Sequence, residues 1–177
     1  MNFDNYIIKP ISKGDIPSYF SFFEVNRNRL SKYFPKTVSS TKDLESTTTF
    51  VVNNIGLWEK KELLSFVIID TVTQKIIGSV FLKDFNWTVL KVETGFFIDK
   101  NYEGKGVITK AVSLIIAYCF QELKLNKLFM RIAEANISSR RVTEKNGFLL
   151  EGKLRQDFKT DEGQFIDVLY YGLLKEK

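Results

Sequence analysis

The stretch DKNYEGKGVITKAV, residues 99–112, constrains the fold of this chain more than any other. Two glycines, Gly104 and Gly106, separate a strand-like segment, residues 90–99, from a nearly apolar segment with helical spacing, residues 107–124. The few polar residues of the second segment fall within one narrow arc at about 100° per residue, so that helix must be packed on most of its sides. The pattern predicts a strand, a tight turn and a buried helix within a mixed α/β layer.

The glycine turn itself has two interpretations. Glycine tolerates positive φ and lets a ligand approach the backbone, so the N–H groups of residues 103–108 can converge on an anion at the free end of the helix dipole. The turn does not match the Walker pattern, because Gly106 follows Lys105, or the dinucleotide fingerprint, because Thr109 replaces its third glycine. These residues alone leave open both a phosphate site and a plain structural turn.

The whole sequence predicts one domain over residues 1–177, because no repeat, low-complexity tract or Pro/Gly/Ser-rich linker divides it. Strands are predicted over residues 6–11, 63–70, 75–82, 90–99 and 127–134, and within 148–158 and 164–174. Helices are predicted from a cap at Asp15 to about residue 30, from a Ser40/Asp43 capping pattern to about residue 56, over 107–124, and from Asn136 or Ser138 to the Asn146-Gly147 stop. Residues 31–40 are predicted to form a loop. The strands on either side of the crossover helix should be parallel, and the earlier hairpins antiparallel.

The composition narrows the possible chemistry. The chain has no histidine and one cysteine, Cys119, which lies in an apolar run and is predicted to be a buried hydrophobic residue. His-based metal sites, Ser-His triads and Cys-His dyads are therefore excluded, and no metal is expected. Acid–base chemistry must use carboxylates, tyrosine, lysine, serine or water.

Charge and hydropathy limit the expected partners. The net charge of +5 fits an anionic ligand but is too small and too dispersed to indicate nucleic acid. The N-terminal stretch MNFDNYIIKP lacks the features of a signal peptide, and the longest apolar stretch, AVSLIIAYCF, is too short to span a bilayer. We therefore expect a soluble cytoplasmic protein that binds neither membrane nor nucleic acid. The aromatic content of 14% permits a homo-oligomeric interface without requiring one.

Three stretches, ETGFFIDKNYEGKGVITKAV, NISSRRVTEKNGFLLEGKLR and DVLYYGLL, resemble in order and spacing the GNAT superfamily of N-acetyltransferases, and within it the Rim-type, ribosomal-protein N-terminal group. The resemblance covers the half of the chain from residue 90 onward, and NRNRLSKYFP, residues 26–35, adds a less specific match. It implies a single-domain, mixed α/β fold with a central, mostly antiparallel sheet, one splayed parallel strand pair and flanking helices. It also implies acetyl-CoA as cosubstrate, with the glycine turn as its diphosphate cradle. Asn101 stands where the family commonly has Arg or Gln.

The resemblance implies three groups of cofactor-binding residues. Backbone groups of Phe96, Phe97 and Ile98 would hold the pantetheine arm, and the backbone at Glu103, Gly104, Lys105, Gly106, Val107 and Ile108 would hold the diphosphate. Asn136 would bond to the pantetheine, and Arg140, with Arg141, would approach a cofactor phosphate. The alternatives are that Asn136 only caps the next helix and that the arginines are solvated surface charges.

The resemblance also implies catalytic roles for Glu93 and Ser139. Ser139 would lie near the sulfur and pass a proton to the leaving thiolate, and Glu93 would act as base, or else be a paired structural carboxylate. Some Rim-type enzymes present an acid from the position of Phe158. Asp157 lies beside it but would face the other way in a regular strand. The general base is therefore left among Glu93, Asp157 and water.

Together these features predict an enzyme that moves an acetyl group from acetyl-CoA to a primary amine by direct attack on the thioester. The acceptor would be a protein N-terminus or a small-molecule amine. The alternative is a non-catalytic acyl-CoA-binding sensor or scaffold, which the missing acid in the terminal strands favours.

Overall fold

The glycine turn at residues 104–106 joins a strand to a buried helix, as predicted. The structure is a computed structural model and describes residues 1–175. Its strands are β1 (Asn2–Phe3), β2 (Tyr6–Pro10), β3 (Leu63–Asp70), β4 (Lys75–Asn86), β5 (Lys91–Ile98), β6 (Lys127–Ala133), β7 (Leu149–Lys159) and β8 (Phe165–Leu174). Its helices are α1 (Ile16–Ser31), α2 (Pro35–Ser39), α3 (Leu44–Glu59), α4 (Val107–Gln121) and α5 (Ile137–Lys145).

One sheet runs through the described chain in the order β1-β2-β3-β4-β5-β6-β8-β7. The β5–β6 pair is parallel, and the neighbouring pairs on both of its sides are antiparallel. The parallel register covers only three residue pairs, from Lys91↔Lys127 to Glu93↔Phe129. Beyond Glu93 the two strands diverge, while β5 stays paired with β4 and β6 with β8. This splayed parallel pair in a mostly antiparallel sheet is the predicted fold class.

Two hydrophobic clusters cover the two faces of the sheet. Val107, Ala111 and Ile115 of α4 belong to the larger cluster, together with Phe96 of β5. Phe97, the next residue, belongs to the smaller cluster with residues of α1 and α3, as the two-residue period of a strand requires. Within residues 1–175, no helix is both long and apolar enough to cross a membrane.

Several element bounds differ from the predicted ones. Residues 31–40 contain the short helix α2, whose first residue is Pro35, where the fixed φ of proline favours a helix start. The third helix continues past Gly56 to Glu59, and α4 ends at Gln121, shortly before Lys124 takes a left-handed φ of 56°. Strand β1 has two residues, which is too short to produce an alternating sequence pattern.

Candidate active site

A cavity of about 570 Å³ opens where β5 and β6 diverge. Glu93 and Phe96 of β5, Arg131 of β6, and Asn136 and Ser139 at the start of α5 are among the residues that line it. The splay therefore brings residues predicted from separate motifs to one cleft. It does so because the two strands share only three register pairs before they part.

Successive residues of β5 alternate between bonding to β4 and facing away from it, and this alternation decides which backbone groups face the cleft. The Asp99 N–H donates to the Ile77 carbonyl at 2.7 Å, and Phe97 stands opposite Ser79 in the same ladder. Because an antiparallel ladder alternates residue by residue, Phe97 turns its N–H and C=O groups toward β4. Its even-numbered neighbours turn theirs away from β4, into the gap.

Phe96 and Ile98 face the gap in this way, whereas the N–H of Thr94 bonds to β6 at the last parallel pair, Glu93↔Phe129. The Ile98 carbonyl already accepts a bond from Arg29 Nη2. The Thr94 hydroxyl is buried and has no hydrogen-bond partner among the described residues. Of the three residues predicted for the pantetheine arm, Phe96 and Ile98 present backbone groups to the gap, and Phe97 contributes its side chain to the cavity wall instead.

The glycine turn forms an open row of N–H groups. Gly104 and Gly106 have φ of +72° and +79°, and a Cβ at either position would meet nothing within 4 Å. Lys110 N–H makes the first bond into the turn, to the Gly106 carbonyl at 3.0 Å. Within residues 1–175, the N–H groups of residues 104–109 have no acceptor. Unbonded amides at the N-terminus of a buried helix form an anion site.

The other residues predicted for the cradle differ in whether their N–H groups are bonded and whether their side chains are buried. The Glu103 N–H already donates to the Lys100 carbonyl at 3.3 Å, so the free row begins one residue later than predicted. Val107 and Ile108 bury their side chains and leave their N–H groups free. Lys105 Nζ lies over the ring of Tyr102, 5.2 Å from its centroid.

Helix α1 holds the cradle in place, which the sequence did not predict. Arg29 Nη1 donates to Glu103 Oε1 at 2.6 Å, and Arg29 also bonds to the Ile98 carbonyl on the other side of the turn. Asn26, buried in the same helix, donates to Asp99 Oδ2 at 2.8 Å. The available signal was the polar stretch NRNRL, but the partners of its Asn26 and Arg29 at the turn lie 73 and 74 residues away.

Asn136 caps α5 and also lines the cavity. Its Oδ1 accepts from the Ser139 N–H at 3.3 Å and from the Ser138 hydroxyl at 3.1 Å. Its Nδ2 has no acceptor among the described residues, and neither does the Ser139 hydroxyl. Capping therefore uses one end of the amide and leaves the other end free toward the cleft.

The two arginines of α5 differ. Arg140 donates from Nε to the Tyr171 hydroxyl and from Nη1 to the Glu134 carbonyl, both at 3.3 Å. Arg141 is exposed to solvent. The side chain of Arg140 is thus engaged in packing α5 against β8, and only Arg141 is a plain surface charge.

Glu93 is the buried carboxylate of the cleft, 5% exposed. Its Oε2 accepts from Arg131 Nη2 at 2.6 Å and from Arg131 Nε at 3.1 Å, and Lys83 Nζ lies 3.5 Å away. Burial raises the pKa of Glu93, and the Arg131 guanidinium offsets part of that rise. Oε1 receives no bond from residues 1–175, so it can accept a proton from a molecule in the cavity.

The expectation that Asp157 faces away from the site is wrong. Asp157 Oδ2 accepts from Arg131 Nη1 at 3.3 Å, and both Asp157 and Phe158 line the cavity. The reason is an irregularity in β7: its register with β8 shifts between Leu154 and Phe158, and Gln156 takes a φ of +53°. Such a bulge interrupts the side-chain alternation on which the expectation depended.

Comparison with known proteins agrees with this arrangement. A model of the family described as "Acetyltransferase (GNAT) domain" matches residues 5–149. A probable N-acetyltransferase of Bacillus subtilis, YjcK, is 38% identical over 153 residues, which are 86% of this chain and 84% of that protein. Another Bacillus subtilis protein, YdaF, named as a ribosomal N-acetyltransferase, is 40% identical over 102 residues, and the match spans only 55% of its length.

A solved structure shows the same fold. The ribosomal-protein-S5-alanine acetyltransferase of Vibrio fischeri superposes with a TM-score of 0.93 at 22% identity, covering 100% of this chain and 97% of that one. The predicted fold and the predicted class of enzyme, an N-acetyltransferase, are confirmed by these matches. Because the family match takes in the splayed strands, the cradle and α5 together, this chain belongs to the GNAT acetyltransferase family.

Proposed function

We propose that the cleft binds acetyl-CoA and transfers its acetyl group to a primary amine. The observation that carries the proposal is the row of unbonded N–H groups at residues 104–109, beside the gap between β5 and β6. Backbone donors backed by a helix dipole favour a diphosphate, which coenzyme A carries. Membership of the acetyltransferase family supports a thioester as the acetyl donor.

The residues of the cleft suit an extended cosubstrate. The amides of residues 104–109 would hold its diphosphate, and the gap-facing backbone of Phe96 would pair with the amides of its pantetheine arm. The free Nδ2 of Asn136 supplies a further donor on the opposite wall. When bound, acetyl-CoA supplies an activated acyl carbon for attack by the amine.

Three groups of the chain would then act on the reacting atoms. The Phe96 N–H points into the gap and can polarise the thioester carbonyl oxygen as the amine nitrogen bonds to the carbonyl carbon. The Ser139 hydroxyl can give its proton to the thiolate as the C–S bond breaks, and recover a proton from water.

Glu93 is the base that this geometry favours. An amine must lose a proton to become a nucleophile, and a buried carboxylate with one unbonded oxygen can accept that proton directly or through water. Burial brings the pKa of Glu93 closer to that of an amine, which improves the match between base and acid. Asp157 is exposed and lies on the far side of Arg131, so we assign it the lesser role.

We further propose that the acceptor is a protein N-terminus or a small-molecule amine. Relatives of this chain are named for both kinds of acceptor: YdaF for ribosomal protein, and a Vibrio cholerae protein for spermidine. We place this activity in the cytoplasm, in one acetyltransferase domain that spans residues 1–177.

Release of free coenzyme A thiol from acetyl-CoA, measured over a panel of amines, tests the proposal. Glu93→Gln should lower kcat by about 10²- to 10⁴-fold and leave the KM for acetyl-CoA nearly unchanged, because the base does not contact the cofactor. Asp157→Asn is the matched control, since it also neutralises a carboxylate bonded to Arg131. A larger loss in Asp157→Asn than in Glu93→Gln would transfer the base to Asp157.

One observation favours the second candidate, an acyl-CoA-binding protein without turnover. Both carboxylates that line the cavity are bonded to Arg131, as in a structural network. Saturable coenzyme A binding without thiol release on any amine would establish this candidate and reject acetyl transfer.

A further inference from the structure

The cavity also has a polar region that the proposed chemistry does not use. Tyr19 of α1, Asn54 of α3 and Ser65 of β3 line it, and their exposed fractions are 3%, 4% and 5%. We call these three residues the inner polar cluster. Polar side chains buried to this degree normally have hydrogen-bond partners in the protein.

The inner polar cluster is only partly satisfied. The Tyr19 hydroxyl has no hydrogen bond to any described residue, although the residue is almost fully buried. Asn54 Nδ2 donates to the Ser65 hydroxyl at 3.4 Å, near the limit of a hydrogen bond, and Asn54 Oδ1 accepts none from residues 1–175. A molecule in the cavity could therefore bond to at least two groups, one hydroxyl and one amide carbonyl.

The walls around the cluster are largely aromatic. Tyr19 stacks on Phe50 at 6.2 Å, and Phe34 packs edge-on against Phe81 at 6.1 Å; all four line the cavity. Ser65 stands opposite Phe81 in the sheet, one same-face step along the strands from the Lys83↔Glu93 pair. Burial raises the pKa of Tyr19 far above its usual value, so its hydroxyl stays neutral.

Within residues 1–175, the charged side chains of the lining are four cations and two carboxylates, and both carboxylates are paired. Glu93 and Asp157 are the carboxylates among the described lining residues, and both bond to Arg131. A second ammonium group on the acceptor would therefore find no unpaired carboxylate in this lining, and its burial would be unfavourable. A neutral hydrogen-bonding group can be buried there without the cost of desolvating an unpaired charge.

We propose that the inner polar cluster is the subsite for the acceptor's side group, and that it selects an uncharged hydroxyl or carboxamide. The inference rests on the proposed acetyl transfer, because it places the acceptor amine beside Glu93 and the acceptor's side group beyond Phe81. A site whose polar groups are completed by the correct substrate discriminates strongly against an analogue that lacks them, because that analogue leaves them unbonded.

Isosteric pairs of short peptides test the subsite. The N-terminal residue is threonine or valine in one pair, and asparagine, leucine or aspartate in a second set, with spermidine as a polycationic comparison. We expect kcat/KM to be at least about tenfold higher for the threonine and asparagine peptides than for their apolar and charged counterparts. Equal values within both sets would overturn the subsite while leaving acetyl transfer intact.

Tyr19→Phe isolates the hydroxyl, since that group makes no bond in the protein and its loss should not disturb folding. In the variant, the ratio of kcat/KM between at least one polar peptide and its apolar counterpart should fall toward one. Tyr118→Phe makes the same change in a half-buried tyrosine that packs against Phe66, in the cluster on the opposite face of the sheet, and should leave that ratio unchanged. An equal loss on polar and apolar peptides in Tyr19→Phe would contradict the proposal.

Calorimetric binding measurements distinguish failure of the acceptor subsite from failure of acetyl transfer. The same peptides are titrated into the protein saturated with coenzyme A, which carries no acetyl group. A binding preference for the polar peptides without thiol release in the kinetic assay would support the subsite and reject acetyl transfer. Absence of binding by every peptide, or binding without preference, would reject the subsite.

Discussion

At the scale of single residues, Arg131 organises the charges of the cleft. Its guanidinium contacts Glu93 of β5, Asp84 at 3.3 Å in β4 and Asp157 at 3.3 Å in β7. A carboxylate as buried as Glu93 would favour its protonated form without such a partner. Arg131 is therefore a positioning residue that favours the ionised form of the proposed base and holds it through one oxygen.

Replacing this arginine should move the pH dependence of the reaction. In Arg131→Met the pKa of Glu93 should rise further, because burial then acts without the compensating cation. Since the base works in its deprotonated form, the acid limb of kcat/KM should move to higher pH, with a loss of about tenfold or more at mildly acid pH and a smaller loss at alkaline pH. In Arg131→Lys the acid limb should shift less than in Arg131→Met, because an ammonium keeps the positive charge but cannot make the bidentate contact with Glu93.

Arg155→Met serves as the control for this prediction, because Arg155 is an exposed arginine of β7, the strand that carries Asp157. Its pH profile should coincide with that of the unmodified protein. A uniform drop in rate at all pH values in Arg131→Met would instead assign this arginine a purely structural role.

Sequence patterns pointed to one set of cleft residues and missed another, for a physical reason. Glu93, Gly104 and Asn136 lie in contiguous motifs whose local geometry places them at a strand end, a turn and a helix cap. Arg131 and Arg29 act through partners 38 and 74 residues away, so only the tertiary fold reveals them. Tyr19 and Asn54 sit among apolar neighbours and would be taken for core residues.

At the scale of elements, the N-terminus of α4 depends on backbone that only glycine adopts easily. Gly106 is the N-cap of the helix with a φ of +79°, and it has open space around its missing side chain. A side chain there meets no steric obstacle, so the cost of a substitution comes from the backbone. That cost is about 1–2 kcal/mol for a non-glycine residue in the left-handed region.

Gly106→Ala should therefore weaken coenzyme A binding by about tenfold, because relief of the strain moves the free N–H groups out of register. Gly56→Ala is the matched control: Gly56 lies inside α3, where a Cβ meets nothing within 4 Å and alanine favours the helix by up to about 1 kcal/mol. Calorimetric titration with coenzyme A measures both. An unchanged affinity in Gly106→Ala would remove the glycine turn from the binding site.

The irregularity in β7 is a feature that the sequence did not predict. The strand itself is present as expected, but the register shift between Leu154 and Phe158 brings Asp157 into the cleft. A bulge depends on how two strands pair, which no single-strand pattern records. The same holds for α2, whose five residues are too few to show a helical period.

At the scale of the whole molecule, the sheet is two half-sheets joined weakly at the site. Strands β1–β5 form one half and β6–β8 the other, and three register pairs between β5 and β6 connect them before the splay. The crossover helix α4 spans the same junction and carries the cradle at its start. A cosubstrate bound in the gap would therefore supply the backbone partners that β5 and β6 do not give each other.

This view predicts an alternating response of β5 to coenzyme A. The amides of Phe96 and Ile98 face the gap and should exchange hydrogen more slowly once the cofactor is bound, as should those of residues 104–109. The amides of Gly95 and Phe97, already bonded to β4, should change little, because their partners are the same in both states.

Residue-resolved hydrogen exchange by NMR, with and without saturating coenzyme A, measures this pattern. Ligand at 100 times its Kd also stabilises the fold globally by about 2.7 kcal/mol, so the comparison must be made under conditions where exchange is local. Uniform slowing along β5 would mean that the cofactor only stabilises the sheet as a whole. Slowing confined to alternate residues places the pantetheine arm in the gap, because only a hydrogen-bonding chain laid along one edge of β5 can distinguish neighbouring amides.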